Sequence, residues 1–236
     1  MVSQAGALLN EYHFADMGKS KRSTPLTDPI HPIPIPRMTP RQGLSYEDDG
    51  KAIFQTTGMY GQSKVQRLNP DTFDVELSVD MGGQFFGEGS TFYRDAEGNG
   101  RLIIITWQEQ TGFIYDSETL EKLREFKYTT TPPQHEGWGI TYDASEQEFI
   151  VSDGSNYLYF WDRDTLVEKR KVAVTRRFDG RNQNQLNELE LIDGLVCCNI
   201  WYSDEIICVD KTSGKSVREY GKPQVDCADG EFSVVA

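Results

Sequence analysis

The stretch "GFIYDSETLEKLREFKY" (112–128) decides how this chain folds. A short apolar run ends in an aspartate, a polar turn follows, and a second run leads away. Asp116 suits the head of that turn, because a short side chain can accept bonds from backbone N–H groups just ahead of it. The pattern returns as "KVQRLNPDTF" (64–73), "YLYFWDRDTL" (157–166) and "IICVDKTSG" (206–214). The turn heads Asn69, Asp116, Asp162 and Asp210 are therefore spaced by 47, 46 and 48 residues.

Each turn is preceded by two more apolar segments. The first are "QGLSY" (42–46), "EGSTF" (88–92), "WGITY" (138–142) and "NELEL" (187–191). The second are "AIFQTT" (52–57), "LIIITW" (102–107), "EFIVSD" (148–153) and "LVCCNIW" (195–201). Four short strands per unit at one steady period is the signature of propeller blades. Two unrelated sandwiches would not share a period. The sequence predicts an all-β domain over 41–236 with blades starting near 42, 88, 138 and 187. Residues 1–40 contain "TPLTDPIHPIPIPRMTP" (24–40) and are expected to form an extended proline-rich arm.

The chain has 236 residues and a formal net charge of -13, which argues against a nucleic-acid backbone as partner. Lys19, Lys21 and Arg22, and the pair Arg176 and Arg177, read as solvated surface. No run reaches the roughly 18 apolar residues of a membrane helix. The N-terminus "MVSQAGALLNEYHF" shows no basic region leading into an apolar core, so no signal peptide is expected and the compartment stays open. Cys197, Cys198, Cys208 and Cys227 lack zinc spacing; buried thiols or one disulfide are both compatible with them. His13, His31 and His135 are too dispersed for a ligand cluster, and no metal site is expected. "EGNG" (97–100) reads as a hairpin loop.

In a propeller the first strand of each blade lies nearest the axis. Gln42, Glu88, Trp138 and Asn187 are then expected to face one another at one mouth of the channel. Trp107, Asp153 and Trp201 each lie nine residues before their turn head and form a second ring. Asp153 reads as a turn former, with metal ligation as the alternative. Aromatic walls with a few polar groups suit a small ligand. A carboxylate enclosed by Phe86, Trp107 and Trp138 would be desolvated, which raises its pKa and suits proton transfer near neutrality.

At these residues the sequence resembles the plant and bacterial type of glutaminyl-peptide cyclotransferase, a five-bladed β-propeller. The resemblance rests on "RQGLSY", "TTGMYGQS", "FFGEGST", "EGWGITYD", "SDGSNYLYFWD", "LNELELIDG" and "CNIWYSDEIICVD", in this order, across about residues 40–222. It implies closure of an N-terminal glutamine to pyroglutamate with loss of ammonia, and no required cofactor. It further implies Glu88 as proton shuttle, Phe86, Trp107, Trp138 and Trp201 as aromatic walls, and Gln42 and Asn187 as substrate-binding amides. Peptides or proteins with N-terminal glutamine are the implied partners. A monomer is expected, with no nucleic-acid or membrane partner.

The chain departs from the family pattern at Pro40, where a Phe is usual, and at Ser90, where an apolar residue is usual. A fifth blade, expected after about residue 222 with a lysine and a tryptophan, has no counterpart in "QVDCADGEFSVVA" (224–236). Two alternatives follow: a propeller that binds peptides without turnover, and a metal-dependent, lactonase-like propeller hydrolase using Glu88, Asn187 and Asp153.

Overall fold

The computed structural model describes residues 40–221. These form sixteen strands in four antiparallel sheets, each a simple meander. Blade 1 comprises β1 (Arg41–Tyr46), β2 (Ile53–Thr57), β3 (Lys64–Leu68) and β4 (Val75–Asp80). Blade 2 comprises β5 (Gly87–Arg94), β6 (Gly100–Thr106), β7 (Thr111–Asp116) and β8 (Lys122–Lys127). Blade 3 comprises β9 (Ile140–Asp143), β10 (Glu148–Ser152), β11 (Tyr157–Asp162) and β12 (Glu168–Ala173). Blade 4 comprises β13 (Leu186–Ile192), β14 (Leu195–Ile200), β15 (Glu205–Asp210) and β16 (Ser216–Gly221). The arrangement is a propeller. The proline-rich segment 1–39 and the position expected for a fifth blade lie outside the described residues.

The turns that set the period share one bonding pattern. Asn69, Asp116, Asp162 and Asp210 each accept, on the side-chain Oδ1, the N–H groups two and three residues ahead. In each, the N–H four residues on returns to the head's carbonyl. That fourth residue has positive φ: Phe73, Leu120, Leu166 and Gly214. Three of the four turns hold a bulky side chain in this unfavourable region, so the bonds outweigh its steric cost.

The core lies between neighbouring blades rather than within one. Phe54, Val65 and Met81 of blade 1 cluster with Phe92, Leu102, Ile104 and Phe113 of blade 2. The opposite face of blade 2, through Ile103, Ile105 and Phe126, packs on Phe149, Val151 and Trp161 of blade 3. Ile150, Leu158 and Phe160 then meet Leu189, Val196 and Ile207 of blade 4. Middle strands are thus covered on both faces, which is why "LIIIT" reads as a continuous apolar run instead of alternating. Each such buried side chain contributes about 1.5–3 kcal/mol. Outer strands β4 and β8 are largely exposed.

Successive inner strands approach closely at glycines. A Cβ at Gly43 would lie 2.6 Å from the Ser90 N, at Gly89 2.6 Å from the Trp138 carbonyl O, and at Gly139 2.3 Å from the Asn187 carbonyl O. Ser90 faces Gly43 across this seam, so a small residue fits where an apolar one is usual. The fourth equivalent position is Glu188.

Two readings of side chains are corrected or completed. Arg176 is not solvated surface: its guanidinium pairs with Glu205 at 2.6 Å and Glu219 at 3.2 Å, bracing the link between blades 3 and 4. Cys197 and Cys208 are direct partners on β14 and β15 and form a disulfide, while Cys198 stays a buried thiol. Cys227 lies outside the described residues.

Candidate active site

Bulges at the start of the inner strands build the site. On β5, Gly87 pairs with Thr106 and Ser90 with Ile104, so Glu88 and Gly89 together oppose one residue. On β13, Leu186 pairs with Ile200 and Leu189 with Cys198, which places Asn187 in the same situation. On β1 the shift falls between Arg41 and Gly43, at Gln42. A bulge turns side chains away from the regular pleat and frees backbone groups. The freed Gly89 N–H donates to the Trp138 carbonyl across the blade boundary at 2.7 Å. Blade 3 has no strand here, and Trp138 and Gly139 immediately precede β9.

The aromatic residues form two walls. On one, the rings of Tyr60 and Phe86 lie 5.4 Å apart and those of Phe86 and Trp107 5.5 Å apart, both edge-on. Gln42 adjoins this wall: its Cγ and Phe86 Cε1 both crowd Gly58, at 2.7 and 2.2 Å from where a Cβ would stand. On the other, Trp138 meets Trp201 edge-on at 6.2 Å, and Tyr202 extends the row at 5.1 Å from Trp201. Gly154 leaves room for the Trp138 ring, since a Cβ there would lie 2.6 Å from its Cζ2.

Main-chain bonds fix these walls. Trp107 N–H donates to the Phe86 carbonyl, Gly137 N–H to that of Trp107, Trp138 N–H to that of Ser152, and Trp201 N–H to that of Gln185. Ser152 Oγ accepts from Gly139 N–H at 2.8 Å and donates to the Asn187 carbonyl at 2.7 Å, tying blade 3 to blade 4.

Glu88 is 9 % exposed and no hydrogen bond reaches its carboxylate among the described residues. Burial holds its pKa well above the usual carboxylate range, and the charges of Glu136 and Glu109 push in the same direction. Glu188, on the next inner strand but one, is raised by burial and then by Glu88; its Oε1 has no partner. Desolvation without a compensating donor favours the protonated acid.

Asp153 belongs elsewhere. Its Oδ1 accepts from Ser155 N–H and Oγ, and its Oδ2 from Thr131 N–H and Tyr159 O–H. The carboxylate is spent on the local turn and a cross-connection. Among the described residues no His, Cys, Asp or Glu group has metal-site geometry.

The structure adds Tyr60, Glu109, Glu136 and Glu188 to the seven side chains expected from sequence. Tyr60 carried a signal: it lies nine residues before Asn69, the spacing that singled out Trp107 and Trp201. Glu136 precedes Trp138 by two residues, as Phe86 precedes Glu88. A family profile described as glutamine cyclotransferase matches residues 19–225. The chain belongs to the glutamine cyclotransferase family. It is 36% identical over 174 residues to glutaminyl-peptide cyclotransferase of Arabidopsis thaliana, an alignment covering 74% of this chain and 49% of that protein. The chain thus spans about half the length of this curated relative. Its fold is similar to the crystal structure of Myxococcus xanthus glutaminyl cyclase, with a TM-score of 0.63 and 27% identity over 76% of this chain and 69% of that one.

A cavity of about 440 Å³ lies further along the inner strands, among Tyr46, Thr91, Asp143, Glu190 and Lys211. It does not include Glu88.

Proposed function

We propose that this chain converts an N-terminal glutamine of peptides to pyroglutamate and ammonia. One observation carries the reading: a buried carboxyl, Glu88, with no hydrogen-bond partner among the described residues, two residues after Phe86 of one aromatic wall and next to Gly89, whose N–H is bonded to the carbonyl of Trp138 in the other. Family membership and the names of the Arabidopsis and Myxococcus relatives support it.

The substrate's α-amine attacks its own γ-carboxamide carbon, the C–N bond of the ring forms, and the bond to the amide nitrogen breaks. Nucleophile and electrophile share one residue, so the site's task is to fold glutamine into the attack geometry. Phe86, Trp107, Trp138 and Trp201 supply the shape, while Gln42 and Asn187 offer amides to the substrate's polar groups. Glu88 takes the proton released by the attacking amine and delivers one to the departing ammonia. A raised pKa lets it do both near neutral pH. The proton inventory closes on Glu88 alone, and the reaction requires no cofactor.

Ammonia release from a Gln-peptide, with pyroglutamyl product identified by mass, tests the reading. Glu88→Gln keeps the shape and removes the proton carrier. Full activity in that variant overturns the assigned role, and no ammonia from the unaltered protein overturns the reading.

A further inference from the structure

The two walls are held by carboxylates that the reaction itself does not use. Glu109 accepts the Tyr60 hydroxyl on Oε1 at 2.7 Å and the Phe86 N–H on Oε2 at 3.3 Å. Glu136 accepts the Trp138 indole N–H on Oε2 at 2.8 Å and the Gln108 amide on Oε1 at 3.1 Å. Each carboxylate therefore has both oxygens engaged, and each braces one wall. All four donors are uncharged, so neither negative charge is cancelled by its partners.

Both carboxylates are half-buried and both act electrostatically on Glu88. Among the described residues, Glu188, Tyr60 and Tyr128 also interact with Glu88, and none of these three is cationic. Partial burial strengthens such a field relative to open water. A peptide entering this mouth by its N-terminus brings its second and third side chains past the rim.

We propose that Glu109 and Glu136 are paired positioning residues, each bracing one aromatic wall, and that their combined charge selects peptides carrying Lys or Arg beside the N-terminal glutamine. This rests on the function proposed above and deepens it: the substrate class is the cationic N-terminal segment. A basic side chain is attracted by the field, and an acidic one is repelled by the same groups. The selection acts on binding, so it appears in KM more than in kcat.

The test compares Gln-Lys-Ala-amide with Gln-Glu-Ala-amide on the full chain, in the unaltered protein, Glu109→Gln, Glu136→Gln and the double variant. A glutamine retains one oxygen that can accept from the Trp138 indole or the Tyr60 hydroxyl, so the charge is removed and the ring-bearing bond of each brace is kept, while the second bond, from the Gln108 amide or the Phe86 N–H, is given up. Binding is read by quenching of tryptophan fluorescence and turnover separately by ammonia. The unaltered protein is expected to favour the Lys peptide by about tenfold in KM, with about threefold of that lost per carboxylate removed. The preference should shrink as salt rises from about 0.02 to about 0.5 M. That salt series serves even where the double variant does not fold. Equal affinity for the two peptides, or an unchanged ratio in the variants, overturns the inference. Selective binding without ammonia overturns only the cyclisation reading.

Discussion

Two buried carboxylates on the inner strands meet opposite fates. Asp143, 1 % exposed at the far end of β9, is ion-paired to Lys211 and accepts the Ser145 N–H and hydroxyl. Burial alone would raise its pKa, but the Lys211 and Ser145 bonds outweigh burial and hold it below the usual range. Glu88 is similarly enclosed, has no donor, faces Glu136 and Glu109, and is held well above that range. Burial is shared; partners decide the protonation state. One carboxylate is held charged by its partners and ties the fold together; the other, without a donor, is biased towards its protonated form, which is the basis of the shuttle role proposed for it.

The largest expected effect breaks the contrast at its functional end. Glu88→Gln should lower kcat for ammonia release by about 10²–10⁴-fold while the far-ultraviolet circular dichroism stays unchanged. Next is Gly139→Ala, which acts on both ends through the short strand between them. The new Cβ would meet the Asn187 carbonyl O at 2.3 Å and the Glu188 Cα at 2.8 Å, backbone that cannot swing aside. A loss of about 1–3 kcal/mol in urea unfolding is expected, with weakened substrate affinity. Lys211→Met strips Asp143 of its cation and should cost about 1–3 kcal/mol, leaving kcat per folded molecule near its original value.

The smallest effect is on pH dependence, and its sign separates the two kinds of carboxylate. Glu190 is pushed by burial from 4.5 up to about 7. Between those values the folded state holds a proton that the unfolded chain has released, so stability declines as pH rises through this window. Glu190→Gln should flatten that slope, by about 2–4 °C in Tm. Asp143 acts oppositely: its contribution is present above 3.8 and is lost as pH falls through its lower folded value.

The parts legible in the sequence are those with local causes. The Asx turns need only residues within four positions of the head, so Asp116 and its three counterparts announced the strands, the blades and the mouth register. Tyr60 obeyed the same spacing but sat in "TTGMYGQS", where a tyrosine among glycines carries no apolar strand around it. Glu109 and Glu136 look like solvated surface in one dimension, because their donors come from a neighbouring blade or a loop. Lys211 and Asp143 lie 68 residues apart, and only blade packing joins them. Arg176 failed for a related reason: its acidic partners sit on β15 and β16, beyond any local pattern.

The aromatic walls hang from peptide groups: Phe86 from Trp107, Trp107 from Gly137, Trp138 from Ser152, Trp201 from Gln185. None of these attachments depends on which ring is carried. The mouth is therefore a fixed frame with exchangeable panels. Its breadth can be retuned at Phe86, Trp107 and Trp201 by trading one aromatic ring for another while these main-chain hydrogen bonds stay, whereas Trp138 also carries its indole bond to Glu136. On the function proposed here, redirecting the site would begin with these rings, leaving the frame untouched.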